Sequence, residues 1–299
     1  MTTPDQLVDY ETLDDGRIAR VWLNRPEAHN AQNRTLLVQL DEAFQRAEAD
    51  DDVRVVILAA RGKNFSAGHD LGSEAALAER RPGPDQHPSF RSHGGTREPV
   101  VEKTYLQEWH HYFQNTCRWR ELRKVTVAQV QGNVISAGLM LMWACDLIVA
   151  ADNARFSDVV GVRLGMPGVE YYAHPWEFGP RKAKELLLTG DSIDADEAHR
   201  LGMVAKVFPL DDLADRTLEF ARRIAAVPTM AALLIKDSVN AATDAMGFAE
   251  ALRHGFHIHQ LGHAHWSAHN DNKFPIALPP DVPDWRTAGP TDLAQRDKP

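Results

Sequence analysis

Cysteine is scarce in this 299-residue chain, which carries only Cys117 and Cys145. Neither their number nor their spacing supplies a disulfide framework or a zinc site, as in a protein of a reducing compartment. Long apolar runs are missing too. No stretch approaches the ~18 apolar residues of a membrane span. The N-terminus, MTTPDQLVDYETLDDG, is acidic and has no apolar core, unlike a secretory signal. The expected location is cytoplasmic. Positive charge is in deficit: 33 Lys and Arg against 42 Asp and Glu leave a net charge of −9. Nucleic-acid binding therefore lacks global electrostatic support.

Several chemical signatures are absent as well. A nucleophile elbow needs a glycine two residues before its serine; Ser136 has Val134 there and Ser66 has Asn64. Neither the G-x-x-x-x-G-K-[ST] loop nor a G-x-G-x-x-G opening the helix after the first strand occurs. The C-terminal third holds His254, His257, His259, His263, His265 and His269, with His259 and His263 at i, i+4. The H-E-x-x-H form is missing, and the acid beside them is the distant Asp271. They are expected to be helix-surface and interface histidines, with no metal site.

What remains is an ordinary globular composition, 43% hydrophobic and 25% charged. Tyr10–Leu23 reads as two strands about a turn at Asp14-Asp15-Gly16. Leu36, Leu37, Leu40, Ala43, Phe44 and Ala47 follow three-four spacing and predict a helix over 34–49. A buried strand, Val53–Ala60, follows. Residues 72–101 have prolines, glycines and charges without an apolar period, and read as a surface loop or lid. A helix over about 102–122 carries Tyr105, Trp109, Tyr112, Phe113 and Trp119, expected in core and interface packing. Strands over 125–130 and 146–152 flank a helix over 138–144. Further helices are expected near 181–188, 194–201, 211–226, 229–242 and 245–268, with the short strand VAKVFP after the second. This order predicts an α/β fold with a C-terminal helical subdomain. A core domain would span 1–209, interrupted by the 72–101 insertion, with helices over 210–274 and an extended tail over 275–299.

Two stretches share one design. Val55–Ala60 runs into Asn64-Phe65-Ser66-Ala67-Gly68-His69-Asp70-Leu71, and Val125–Val130 runs into Gly132, Ser136-Ala137-Gly138 and a helix. A strand, a glycine-bearing turn and a helix start gather backbone N–H groups that have no internal partner. The two turns are read as giving one N–H each to a shared oxyanion hole.

LNRPEAHNA (23–31), NFSAGHDL (64–71), QGNVISAGLMLMWACDLIVAADNARF (131–156) and LLLTGDSIDADEAHRLGMVAKVFP (186–209) together resemble the crotonase, or enoyl-CoA hydratase/isomerase, superfamily over about residues 8–260. The resemblance implies a spiral of strand-strand-helix turns with a helical trimerisation region, assembled as trimers or hexamers. It implies an acyl-CoA thioester as partner, coenzyme A entering only as part of the substrate, and no metal or redox cofactor. It places the oxyanion-hole amides on His69 and Ala137, with His69 acting through its backbone and its imidazole free to point to solvent. Glu27-Ala28-His29 and Ala67 to Leu71 match segments lining the adenine and pantetheine of coenzyme A. Asp70 can alternatively cap the segment that follows it.

The same comparison exposes two departures. The paired glutamates of the hydratases fall on Met140 and Val160, which line the acyl pocket but cannot transfer a proton. The aspartate nucleophile of the dehalogenase-type members falls on Gly168. Replacement acids and bases are sought nearby: Glu170 first, then Asp158, then His174 and Tyr171. A carboxylate in an apolar pocket is expected to have its pKa raised by desolvation, which suits general acid-base work. Asp158 has other roles open to it, capping or pairing with Arg155 or Arg163, and Glu170 can equally be a surface or interface residue. Two kinds of function follow. One is an acyl-CoA enzyme working through a thioester enolate: a hydratase, a double-bond isomerase, or a C–C or thioester hydrolase. The other is a non-catalytic acyl-CoA-binding homologue that keeps the hole and has lost the proton machinery.

Overall fold

The runs VVILAA and VTVAQV are apolar without alternation, the pattern of strands covered on both faces. In the computed structural model every residue of both is buried. The structure describes residues 6–79 and 101–269. Most of the 72–101 insertion and the whole 275–299 tail lie outside the described residues.

The elements follow in chain order. Strands β1 (Val8–Leu13) and β2 (Ile18–Leu23) precede helix α1 (Arg34–Ala49), strand β3 (Val55–Ala60) and helix α2 (Glu74–Glu79). Helices α3 (Val101–Glu108) and α4 (Asn115–Arg120) are joined by a π-helical segment, Trp109–Gln114. Next come β4 (Val125–Val130), β5 (Asn133–Ile135), α5 (Ala137–Trp143), β6 (Leu147–Ala151), β7 (Arg155–Ser157) and α6 (Val160–Leu164). Helices α7 (His174–Glu177) and α8 (Pro180–Thr189), strand β8 (Ser192–Asp194), helix α9 (Ala195–Leu201) and strand β9 (Lys206–Phe208) complete the mixed part. Helices α10 (Leu213–Ala225), α11 (Thr229–Ala245) and α12 (Phe248–His269) close it.

Six strands form one sheet in the order β1-β2-β3-β4-β6-β9. The β1–β2 pair is antiparallel and the other pairs are parallel. A second sheet has the order β5-β7-β8. Successive turns thus give one strand to each sheet before entering a helix: β4, β5, α5, then β6, β7, α6. Single bridges, Gln32 with His69 and Ser66 with Val134, extend the second sheet back to the earlier turns. This is the strand-strand-helix spiral expected from the sequence.

Alternate residues of the main sheet serve two cores. Val56, Leu58 and Ala60 face one that also holds Phe44, Phe65, Met140 and Phe156. Val55, Ile57 and Ala59 face the other, closed by Leu213, Ala221 and Ala225 of α10. Helix α12 packs on α3 through Phe256, which meets Tyr105, Trp109 and Phe113 with ring centroids 5.1–5.3 Å apart. The aromatics of 102–122 are packing residues, as expected, but the helix is not continuous, since the π segment interrupts it. The insertion also begins with a helix rather than a loop. Glu79 of α2 accepts the amides of Arg34 and Thr35, meeting the unpaired donors at the start of α1.

A buried cation ties the C-terminal helices to the sheet. Lys236 of α11 donates to Lys124 O and to Asp146 Oδ2, each at 3.0 Å. Asp146 also accepts the Thr126 amide and hydroxyl.

Candidate active site

The two glycine turns meet at contact distance because the glycines leave room. A Cβ on Gly138 would lie 2.6 Å from Ser66 O, and one on Gly68 would lie 2.8 Å from Ile135 O and 3.4 Å from Ala137 N. Gly68 itself has φ +90°. Ser136, at φ 48°, is the N-cap of α5. Its Oγ accepts the Val159 amide, and its own amide donates to Ser157 O at 2.8 Å. The Gly68 amide is taken by Ser66 Oγ and the Asp70 amide by Gln32 O. Between these, His69 N has no acceptor among the described residues, and neither has Ala137 N at the start of its helix. The two amides expected to cooperate therefore sit on adjoining turns, both unused.

Around them, the segments expected to line coenzyme A form one hydrogen-bonded rim. Glu27 and His29 are exposed, while Ala28, Ala67 and Leu71 are half-buried. The Ala67 amide donates to His29 O at 2.9 Å, and Asn64 Nδ2 donates to His29 Nδ1. Asp70 takes the capping role left open by the sequence. Its carboxylate accepts the Ser73 amide and hydroxyl and pairs with Arg25 at 2.6 Å. Burial raises its pKa, but the Ser73 and Arg25 bonds outweigh that and hold it below the ordinary value.

Below the turns lies a buried acid-imidazole network. Glu170 is 3% exposed, so it is not a surface residue. Its Oε2 is 3.2 Å from His69 Nε2. The His69 ring points inward and stacks on Tyr112 at 3.7 Å, so the solvent-facing alternative does not apply. His69 Nδ1 is buried with no hydrogen-bond partner among the described residues. Glu170 Oε1 lies 3.5 Å from His259 Nε2. Desolvation raises the Glu170 pKa, as expected for an apolar pocket, yet the charges of His69 and His259 and the His69 bond win and hold it at about 2. It is an anion at neutral pH, not a proton-bearing acid. The sequence reading lacked the two histidines that reverse the sign.

Asp158 does not pair with Arg155 or Arg163. It is 2% exposed and accepts His174 Nε2 at 2.8 Å and the Val160 and Val169 amides at 3.0 Å each. Burial raises its pKa, and the His174 bond and charge lower it further than that. Arg155 instead faces Asp194 at 3.9 Å. Asp158 is committed to holding the α6 start and the Val169 segment together. Tyr171 is fully buried, and burial pushes its hydroxyl well above the ordinary tyrosine value. Met140 is buried in α5 and Val160 half-buried at the start of α6. A Cβ on Gly168 would lie 3.0 Å from the His174 ring and 3.2 Å from Asp158 Oδ2, and φ is +147°, so a side chain there would be strained and would press on both neighbours.

The C-terminal histidines divide. His254, His257 and His265 are exposed, but His259 and His263 are buried, against expectation. Glu108, 151 residues away from His259, joins them. Sequence proximity carried no sign of this. The available hint was the i, i+4 spacing of His259 and His263, matched by Glu108 and Tyr112 on a second helix.

Comparison with known proteins agrees with the geometry. The family model described as Enoyl-CoA hydratase/isomerase matches residues 14–260. The chain is 63% identical over 284 residues to the Mycobacterium tuberculosis protein EchA13, whose name places it provisionally among enoyl-CoA hydratases; the match covers 95% of this chain and 89% of the relative. It is 31% identical to 4-chlorobenzoyl coenzyme A dehalogenase-2 of an Arthrobacter species, covering 79% and 78% of the two chains. The crystal structure of a probable enoyl-CoA hydratase from Mycobacterium smegmatis superposes with a TM-score of 0.79 at 43% identity, covering 91% of this chain and 99% of that one. Among the described residues, no helix is long and apolar enough to cross a membrane.

Proposed function

Because this chain belongs to the enoyl-CoA hydratase/isomerase family, we propose that it turns over an acyl-CoA thioester through an enolate, with His69 N and Ala137 N holding the oxyanion and the His69–Glu170 pair moving the proton. As the α-proton leaves, charge passes to the thioester oxygen. A preorganised amide donor at that oxygen contributes about 2.7–4 kcal/mol to lowering the barrier. The observation that carries the reading is the 3.2 Å contact between Glu170 and the imidazole of the same residue that offers its amide to the hole. Glu170, ionised and buried, accepts Nε2–H and so fixes the ring tautomer. In the base form of the ring the lone pair is then on Nδ1, which has no partner among the described residues. Glu170 is in this reading a positioning residue and His69 the base.

One such base suits double-bond isomerisation. It removes a proton from the α-carbon, the dienolate forms, and the same imidazolium returns the proton to the γ-carbon. No water, metal or redox cofactor enters the balance. The paired-carboxylate hydration route has no support at Met140 and Val160. The protein works in the cytoplasm in this reading. It self-associates through α11, whose Met230, Leu234, Ile235 and Val239 are 52–65% exposed. Replacing Leu234 and Ile235 by Glu should leave a folded monomer in analytical ultracentrifugation.

Deuterium exchange at the α-carbon of a panel of acyl-CoA and 3-enoyl-CoA thioesters tests the chemistry. Wild type should exchange and isomerise. Glu170→Gln should lose about 10²–10⁴-fold in rate while thioester binding persists. Tight binding with no exchange above solvent background would instead select the second reading, a non-catalytic acyl-CoA-binding member, which Met140 and Val160 favour.

A further inference from the structure

Glu108, His259 and His263 converge from two helices that are far apart in sequence. Their exposures are 3%, 3% and 7%. His259 Nδ1 lies 2.6 Å from Gly168 O. A carbonyl only accepts, so Nδ1 carries a proton there, and Nε2 is the nitrogen turned toward the cluster. That nitrogen is 3.0 Å from His263 Nε2 and 3.7 Å from Glu108 Oε2, while His263 Nε2 is 3.1 Å from Glu108 Oε1. All the donor atoms lie within 4.8 Å of one another.

We propose that Glu108, His259 and His263 bind one divalent transition-metal ion of the zinc type. Bonds of ~2.0–2.1 Å at the tetrahedral angle put ligand atoms ~3.3 Å apart; the two imidazole nitrogens are 3.0 Å apart, and the Glu108 carboxylate approaches them with one oxygen each, Oε1 at 3.1 Å from His263 and Oε2 at 3.7 Å from His259. Two imidazoles and a carboxylate select zinc, cobalt(II) or iron(II) over magnesium or calcium, which prefer all-oxygen shells. The supports expected behind a metal site are present. Gly168 O orients His259, and Gln260 Nε2 donates to Glu108 Oε2 at 2.6 Å. Charge balance agrees. Buried charges must be paired or coordinate a metal. Two carboxylates, Glu108 and Glu170, face this cluster. Glu170 Oε1 also approaches the cluster, 3.5 Å from His259 Nε2. An ion here would stand one carboxylate away from His69.

The test uses the untagged full-length chain, stripped with a chelator, re-equilibrated with Zn²⁺ or Co²⁺ and passed through gel filtration. The readout is bound metal by plasma mass spectrometry, so it is independent of acyl-CoA turnover. Wild type and the surface control His254→Ala should each retain one ion per chain. His263→Ala and Glu108→Gln should retain none, and Gln260→Leu should bind about 10–100-fold more weakly. Circular dichroism reports whether the variants fold. If they do not, the Co²⁺ spectrum of wild type decides. Intense visible absorption of a four- or five-coordinate ion with imidazole ligands supports the site. A weak six-coordinate spectrum, no retained metal in wild type, or equal retention in the folded ligand variants overturns it.

Discussion

Gly138→Ala tests whether the joint between the two turns sets both stability and rate. The added Cβ would fall 2.6 Å from Ser66 O, against a usual carbon-oxygen approach of about 3.3 Å. The turns must therefore part by ~0.7 Å, and Ser66 O is not free to yield, since it accepts the Ile135 amide at 3.0 Å. Overpacking of this kind costs about 1–3 kcal/mol, and backbone obstruction belongs at the upper end. Alanine recovers ~1 kcal/mol over glycine within a helix. The net loss is about 1–2 kcal/mol, or a fall in Tm of roughly 2–8 °C for a domain of this size. Activity should suffer more. A misplacement near 1 Å can cost ~10²-fold in rate, and Gly138 directly follows one proposed hole donor. Differential scanning calorimetry and α-deuterium exchange on the same preparation measure the two effects. A variant as stable as wild type, with unchanged exchange, would refute the joint.

Other outcomes follow from single residues. Lys236→Ala removes one partner of a part-buried ion pair with Asp146 and should cost about 1.5–3 kcal/mol by urea unfolding, since Asp146 keeps its Thr126 bonds. Asp158 titrates below its ordinary value in the folded state. Its contribution is therefore full above the unfolded value of ~3.9 and disappears as pH falls through the folded one. Asp158→Asn should be less stable at neutral pH and should flatten the acid limb of the stability profile. Burial pushes the Cys117 and Cys145 thiols up to about 12, so both should resist iodoacetamide at ~pH 8 in the native protein and react once it is unfolded in urea.

The sequence revealed the parts of this molecule that local pattern controls. Leu36 to Ala47 announced α1 because a helix face repeats every three or four residues. VVILAA and VTVAQV announced covered strands because they do not alternate. The two turns were legible because strand, glycine and helix start are consecutive in the chain. The site's electrostatics were not legible, because its charges come from separate turns of the spiral. Glu170 was singled out, but the sign of its pKa shift depends on His69, 101 residues earlier, and on His259, 89 residues later. Asp158 was placed near arginines by sequence distance, whereas the chain folds His174 onto it. The histidines of α12 read in the sequence as helix-surface and interface residues because the partner of the buried pair, Glu108, comes from another helix.

The π segment at Trp109–Gln114 has a consequence for how the chain tolerates change. Such a segment accommodates about one residue more than a regular α-helix over the same length. That residue turns everything after it by ~100° relative to what precedes it. Glu108 reaches α12 at one end, and Trp119 reaches α1 through Asp41 at the other, with Tyr112 under His69 between them. Restoring a regular helix by deleting one residue from 109–114 would put the two ends out of phase. Either Glu108 or Trp119 would lose its seat. A one-residue deletion here should therefore damage the fold or the site far more than a point substitution at the same positions.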